Sequence, residues 1–377
     1  MKVDVEKKEL LRMISLVQTI AEKKASMSQL VNLLFIAEND RLKIFATDLE
    51  ISFTSETNAQ VIESGSIAVH AKNLFEIVKE LSDGIVSLKS IDNSRLQIQQ
   101  KKFVSKIMGT NPDSYPSFPV HGNYEFTKIQ KIVFLEMINK TIFCVSNDDT
   151  RYHLNGVYFE KNYVDDKIKY RTVATDGHRL SLVDKTVDSE NNYANTSNSK
   201  NYGVIIPRKG VYEINRLLET VENYVEVAIE GSQFIVKGGN SVLLIRLIEG
   251  KYPNYQMLIP KEIKYRMYLQ REIFLGSIKR VGLLASQKSK CIVIQISSGK
   301  MEISTTNPEM GDAIEEIELQ YTQEPLKFTM NYKYLIEVLT ALESEIVDIS
   351  VKNLDTPILF TNHNEQAVTC VIMPMQL

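Results

Sequence analysis

The sequence predicts an α+β protein of three repeated domains, each with two strand–helix units. Three observations carry that prediction. A motif returns at intervals of about 130 residues, the size of an ordinary domain: Ile44-Phe45-Ala46-Thr47-Asp48-Leu49-Glu50, then Thr172-Val173-Ala174-Thr175-Asp176-Gly177-His178, and more faintly Glu302-Ile303-Ser304-Thr305-Thr306-Asn307-Pro308. Six segments share one plan, a short strand-like run, a polar joint and apolar residues at helical spacing, beginning near Lys2, Gly65, Tyr124, Tyr202, Lys264 and Pro325. A length of 377 residues, 44% of them hydrophobic, suffices for two or three cores.

The six helices follow in order. In the first, Leu10, Ile14 and Val17 share a face opposite Lys8, Arg12 and Ser15. The second turns Leu74, Val78 and Leu81 inward and Lys72 and Lys79 outward. The third, around Phe134, Met137 and Ile138, is less regular and has no clean basic face. Val211, Ile214 and Leu218 oppose Lys209 and Arg216 in the fourth; Phe274, Ile278 and Val281 oppose Lys279 in the fifth; Leu335, Leu339 and Leu342 oppose Lys333 in the sixth. Glu76, Glu213, Glu272 and Glu337 are placed on the same outward faces as the lysines.

Prolines mark the joints. Tyr115-Pro116-Ser117-Phe118-Pro119 and the stretch from Lys251-Tyr252-Pro253 to Ile259-Pro260 favour extended connections, which sets domains at 1–122, 123–256 and 257–377. Lys161–Lys169 and the Asn- and Ser-rich Ser189–Lys200 read as surface loops.

Covalent chemistry has one candidate, Asp176, His178 and Ser181, which would make the protein a hydrolase. The other repeats argue against it: Leu49 and Glu50, or Pro308 and Glu309, stand where Gly177 and His178 do, so the shared framework builds a turn. No phosphate-cradling, dinucleotide or zinc-protease motif occurs, and His70, His121, His153 and His363 are isolated. Cys144, Cys291 and Cys370 are far apart and odd in number, the pattern of small core residues in a reducing compartment. No cofactor or metal is expected. Met1–Glu6 carries no apolar signal core and no run nears the ~18 residues of a membrane span, so the expectation is a cytoplasmic protein with no membrane partner. The net charge of −3 is unlike that of a static DNA binder, which would hold linear and circular DNA alike with a steep salt dependence. Basic faces recurring in most of the six units still allow a local, weak attraction to phosphate.

Four motifs carry a family resemblance: Arg171–Leu180, Arg151-Tyr152-His153-Leu154-Asn155-Gly156, Pro207-Arg208-Lys209-Gly210-Val211 and Met373-Pro374-Met375-Gln376-Leu377. Together with the threefold repeat they make the whole chain resemble the bacterial β sliding clamps, the DNA polymerase III β subunits. The resemblance implies a non-enzymatic processivity factor: a head-to-tail homodimeric ring of DNA-clamp domains, helices lining a hole around duplex DNA and sheets outside. It implies DNA-facing positions at Arg12, Lys24, Lys72, Tyr152, His153 and Lys209, and a dimer seam at Phe103 and Ile107 against Leu283 and Leu284. It implies a pocket for linear peptides of the replicative polymerase, the clamp loader and repair polymerases, formed by Leu154, Thr175, Gly177, His178, Arg179, Leu180, Pro253, Met257, Leu258, Asn331, Tyr334, Val371, Ile372, Met373, Pro374 and Met375. An apolar cleft with adaptable Met and a few polar groups suits several related peptides. The sequence departs from the family pattern at Ser289 (usually aromatic), Met257 (usually arginine), Gln376 (usually basic), His153 (usually tyrosine) and Ala25–Leu30, which lacks the common proline.

Overall fold

The computed structural model describes residues 1–21, 27–91, 94–117, 124–164, 167–188 and 201–375. All six predicted strand–helix units form. The helices are α1 (Lys7–Val17), α2 (Ala71–Glu80), α3 (Lys131–Asn139), α4 (Arg208–Thr220), α5 (Arg271–Gly282) and α6 (Tyr332–Ala341). Each follows directly on a strand: Lys2–Glu6, Gly65–His70, Thr127–Gln130, Tyr202–Pro207, Tyr265–Gln270 and Leu326–Asn331. At two of the joints the last strand residue caps the helix, His70 Nδ1 accepting from the Asn73 amide and Asn331 Oδ1 from the Lys333 amide, whereas Glu6 and Gln270 make no such side-chain cap. The residues placed inward by spacing are buried in every helix, with Leu81, just past α2, half-buried.

The chain forms two compact units. The first, built from Met1–Ile132 and Tyr212–Leu247, holds one thirteen-stranded antiparallel sheet that runs from Thr127–Gln130 to the edge strand Gln60–Glu63. Within it Ser241–Arg246 pairs with Ile51–Asn58, so a strand from the middle of the chain extends the first repeat's sheet. The second unit includes Val133–Asp188, Asn201–Val211 and Ile248 onward, with an eight-stranded and a four-stranded sheet. There Arg179–Asp188 pairs with Glu365–Ile372. The core of each unit is the apolar face of its sheets against the helix stripes, with Phe35, Phe45 and Phe53 buried in the first and Phe134, Phe159, Phe274 and Phe360 in the second.

Four expectations change. The described residues of the Lys161–Lys169 stretch are not loop but paired strand, with Lys161 opposite Tyr170 and Val164 opposite Lys167. Its buried face carries it: Ile168 is fully buried and Lys161 lies over the Tyr163 and Tyr202 rings, 4.9 and 5.7 Å from their centres. Glu213 is not on an outward face. It is only 5% exposed, accepts from Thr19 Oγ1 at 3.1 Å, and faces Arg216 at 3.6 Å. Arg216 in turn reaches the Ser15 carbonyl and Thr19, so this pair closes the gap between α4 and the end of α1. Cys291 is half-exposed, its Sγ 3.4 Å from Met375 Sδ, whereas Cys144 and Cys370 are core residues as expected. The third copy of the repeat is displaced. Connections of three residues, 48–50, 176–178 and 308–310, follow the strand ends Thr47, Thr175 and Asn307, two positions later than the sequence match set the last of them. The Ser189–Lys200 stretch and His121 lie outside the described residues.

Two buried acids make alkaline lability an expected property. Burial pushes the Cys370 thiol up to about 11 from 9.0, and the Tyr115 hydroxyl, donated to the Asn32 carbonyl at 2.9 Å, up to about 12 from 10.0. The folded state holds both neutral while the unfolded chain ionises earlier, so stability is intact below pH 9 and falls as pH rises through 9–11 and then 10–12. Thermal unfolding from pH 8 upward checks this, with Cys370→Ala expected to flatten the earlier part of the decline.

Candidate partner-docking site

The site is built on the second repeat's three-residue connection. Asp176 Oδ1 accepts from the amides of His178 and Arg179 at 2.9 and 3.0 Å, and Thr175 Oγ1 donates to the Arg179 carbonyl while accepting from the Gly177 amide. The first repeat repeats the device with Thr47 and Asp48. Asp176 is therefore engaged in holding a turn. Ser181 Oγ is buried and donates to the Lys140 carbonyl, so the three residues of the hydrolase reading do not form a triad. Gly177 has φ +88°, and a Cβ there would lie 2.7 Å from Arg151 Nη1. Gly177→Ala is expected to lower stability by about 1 kcal/mol and displace the Arg151 guanidinium, measured by thermal unfolding and a crystal structure of the variant.

Arg179 ties the site together. It is 8% exposed, and its guanidinium meets Asp176 Oδ2 at 3.1 Å, Glu337, and the Phe143 carbonyl. Its flat face lies 4.3 Å from the centre of the Tyr334 ring, a cation–π contact that orients Tyr334 on α6. Beneath, Leu154, Leu180 and Val371 form one apolar cluster with Val173, Leu182, Ile205, Tyr252 and Tyr255. Tyr252 stacks on Tyr158 with ring centres 4.8 Å apart, and burial keeps its hydroxyl protonated well above the usual tyrosine range.

The chain's last described residues form the opposite wall. The Met373 amide donates to the His178 carbonyl and the Met375 amide to the Thr329 carbonyl, both at 2.8 Å, which pins this stretch between the 176–178 connection and the strand Leu326–Asn331. Between the walls lies a cleft of about 430 Å³, lined by Gly177, His178, Phe328, Leu354, Met373 and Pro374 among others. Of the sixteen pocket positions expected from the sequence, Gly177, His178, Met373, Pro374 and Met375 line this cleft. Leu154, Thr175, Leu180, Val371 and Ile372 are buried around it, while Arg179 and Tyr334 brace it and Asn331 caps α6. Pro253 is half-buried; Met257 and Leu258 open instead onto a neighbouring groove. Sequence reasoning missed Arg151, Phe143, Glu337, Phe328 and Leu354 as parts of the site. Arg151 opens one of the quoted motifs, but only the fold brings it against Gly177.

The remaining positions behave differently. Arg12 pairs with Glu9 at 3.0 Å on α1, Lys72 is exposed on α2, and Lys209 is half-buried on α4. Tyr152 is exposed and meets His153 edge to face, ring centres 5.6 Å apart. Lys24 lies outside the described residues. Phe103 and Leu283, 46% and 72% exposed, are surface residues, with Ile107 and Leu284 half-buried beside them. No group of three or more His, Cys, Asp or Glu suited to a metal ion occurs among the described residues. No helix among the described residues is long and apolar enough to cross a membrane.

A threefold-repeated α+β architecture whose one motif with catalytic-looking residues is a turn, beside a cleft of mixed polar and apolar lining, is the arrangement of a sliding clamp. The profiles of the N-terminal, central and C-terminal domains of the DNA polymerase III beta subunit match residues 1–119, 128–254 and 256–376. The beta sliding clamp of Caulobacter vibrioides is 30% identical over the full length of both chains, and that of Vibrio cholerae 26%. Crystal structures of the beta sliding clamps of Caulobacter crescentus and of Bartonella birtlesii, the latter bound to griselimycin, both superpose with a TM-score of 0.92 at 30% and 28% identity, covering both chains completely. The chain belongs to the DNA polymerase III beta subunit family. Its function is that of a DNA polymerase processivity clamp, a non-catalytic role, and the hydrolase reading has no support.

Proposed function

We propose that two copies of this chain close head to tail into a cytoplasmic ring around duplex DNA and hold partner proteins by linear peptides seated in the cleft beside His178. The observation that carries the docking part is the cleft itself: apolar Phe328, Leu354 and Met373–Met375 set among the polar His178, Lys327 and Asp355, beside the Arg179–Tyr334 contact, with Asp176 and Ser181 engaged in holding the fold. Met at the wall lets one seat adapt to peptides of the replicative polymerase, the loader and repair polymerases. A relative solved with griselimycin is in keeping with a ligand-accepting surface.

The seam reading has its own support. Phe103 stands at the mouth of a cleft of about 550 Å³ whose other walls include Ile77, Leu81 and Lys102. Exposed apolar groups of this size are characteristic of surfaces that another chain covers. Leu283 and Leu284 are apolar knobs suited to that cleft in a second copy, and the acidic strand Gly311–Glu318 complements Lys101, Lys102 and Lys106. Domains at 1–122, 123–256 and 257–377 are part of the same proposal, in line with the profile bounds. Arg12, Lys24, Lys72, Tyr152, His153 and Lys209 would face the DNA. Sedimentation or light scattering over a dilution series tests the assembly: a particle of twice the 43.0 kDa chain supports it, and a monomer at all concentrations refutes it.

A further inference from the structure

One row of side chains crosses four neighbouring strands of the first unit's sheet: Lys2 stands opposite Lys89, Lys89 opposite Gln97, and Gln97 opposite Lys106. Their chain neighbours Val3, Leu88, Leu96 and Ile98 are fully buried, so the row itself lies on the face turned to solvent. Arg95 is exposed one step along on the same face, opposite Met108. The pairing of Lys2 with Lys89 is unfavourable for folding, because side chains directly opposite each other start about 5 Å apart and like charges there repel. No ion pair offsets it. Lys2, Lys89 and Lys106 form none with the described residues, and Glu63, which flanks Lys2 on its other side, is exposed and does not reach it. Asp4 and Glu6 follow along the first strand and bound the basic ground on that side.

We infer that this row is a phosphate contact, which takes the backbone of a nucleic-acid strand passing outside the ring. The inference rests on the ring reading above to the extent that the seam there takes Lys106, while Lys2, Lys89 and Arg95 stay open. Neighbouring strands lie about 4.8 Å apart and alternate residues about 7 Å apart along a strand, so these three cations cover ground for about three successive phosphates. The two rows hold no aromatic side chain, which leaves bases without a platform and makes the contact independent of base sequence. Phosphate is also the anion at hand. A processivity clamp works on DNA, so a strand beside it is present at high effective concentration and a weak contact suffices. A phosphate seated between Lys2 and Lys89 turns their mutual repulsion into shared attraction, which gives the unfavourable pairing a use.

The test uses the full-length protein and a short, labelled, closed circle of single-stranded DNA, which a closed ring cannot thread, read by fluorescence anisotropy over a series of salt concentrations. The parent is expected to bind the circle with a log–log salt slope of about −2, from about 0.7 for each of three phosphates. Lys89→Glu pairs with Lys2 and so withdraws both cations; it is expected to bind roughly tenfold more weakly and to melt at or above the parent's temperature. Lys89→Arg keeps the charge and should bind like the parent. Lys89→Glu binding the circle as the parent does, or melting below it, overturns the assignment. An acidic peptide of equal charge that displaces the circle at lower concentration overturns the choice of nucleic acid. Sedimentation on the same samples separates the two readings: a dimeric mass with no binding of the circle overturns this inference alone, and a monomeric mass overturns the ring reading and this inference with it.

Discussion

Replacing Arg179 by Ala is expected to lower stability by at least ~3 kcal/mol and to abolish peptide docking together. The guanidinium is buried among Asp176, Glu337 and the Phe143 carbonyl, and nothing of similar shape would take its place. Its loss leaves the carbonyl without its donor and removes the platform under Tyr334. Asp176 retains its two backbone amides, so the turn itself is expected to survive and the damage to concentrate at the Tyr334 wall. Arg179→Lys keeps the charge but not the flat stacking face, and should recover part of the stability and little of the docking. Thermal unfolding and peptide titration on both variants check this. Unchanged docking in Arg179→Ala would show that the brace is not what shapes the cleft.

The second large effect is expected from Leu283→Asp. Leu283 is 72% exposed, so the substitution leaves the subunit's own core intact. In a ring of two copies it falls in both seams, and each then loses a buried apolar side chain and gains a desolvated carboxylate, a cost of several kcal/mol per seam. The expected product is a folded monomer of 43.0 kDa with an unchanged melting profile for the subunit. Phe103→Asp on the facing surface should reproduce it. A variant that keeps the parent's dimeric mass would place the seam elsewhere.

The helices were the most legible part of the chain. Apolar spacing alone placed Leu10, Ile14 and Val17, or Leu335, Leu339 and Leu342, against their sheets, because a periodic stripe has only one way to be buried. The Thr-Asp turn was legible as a turn for a similar reason: its hydrogen bonds are local, each acceptor within four residues of its donor. What failed to show were long-range partnerships. Glu213 reads as a surface acid until Thr19, 194 residues away, supplies the hydroxyl that makes its burial tolerable. Lys161 reads as loop until the Tyr202 ring arrives from another strand. In the site, motif residues such as Gly177 and His178 could be nominated from sequence, but Arg151, Glu337 and Phe143 could not. Their roles exist only where the fold converges on Arg179. The split of the expected pocket into a cleft and a groove is likewise a property of the Lys352–Pro357 loop, which carries no periodic signal.

The most direct test of the central claim compares retention on nicked circular and linear DNA of the same length, after loading and at raised salt. A grip made by enclosure keeps the protein on the circle and lets it slip from the free ends, with little dependence on salt once loaded. Equal retention on both forms, falling steeply with salt on each, would mean that the protein holds DNA by contact and would contradict the closed ring.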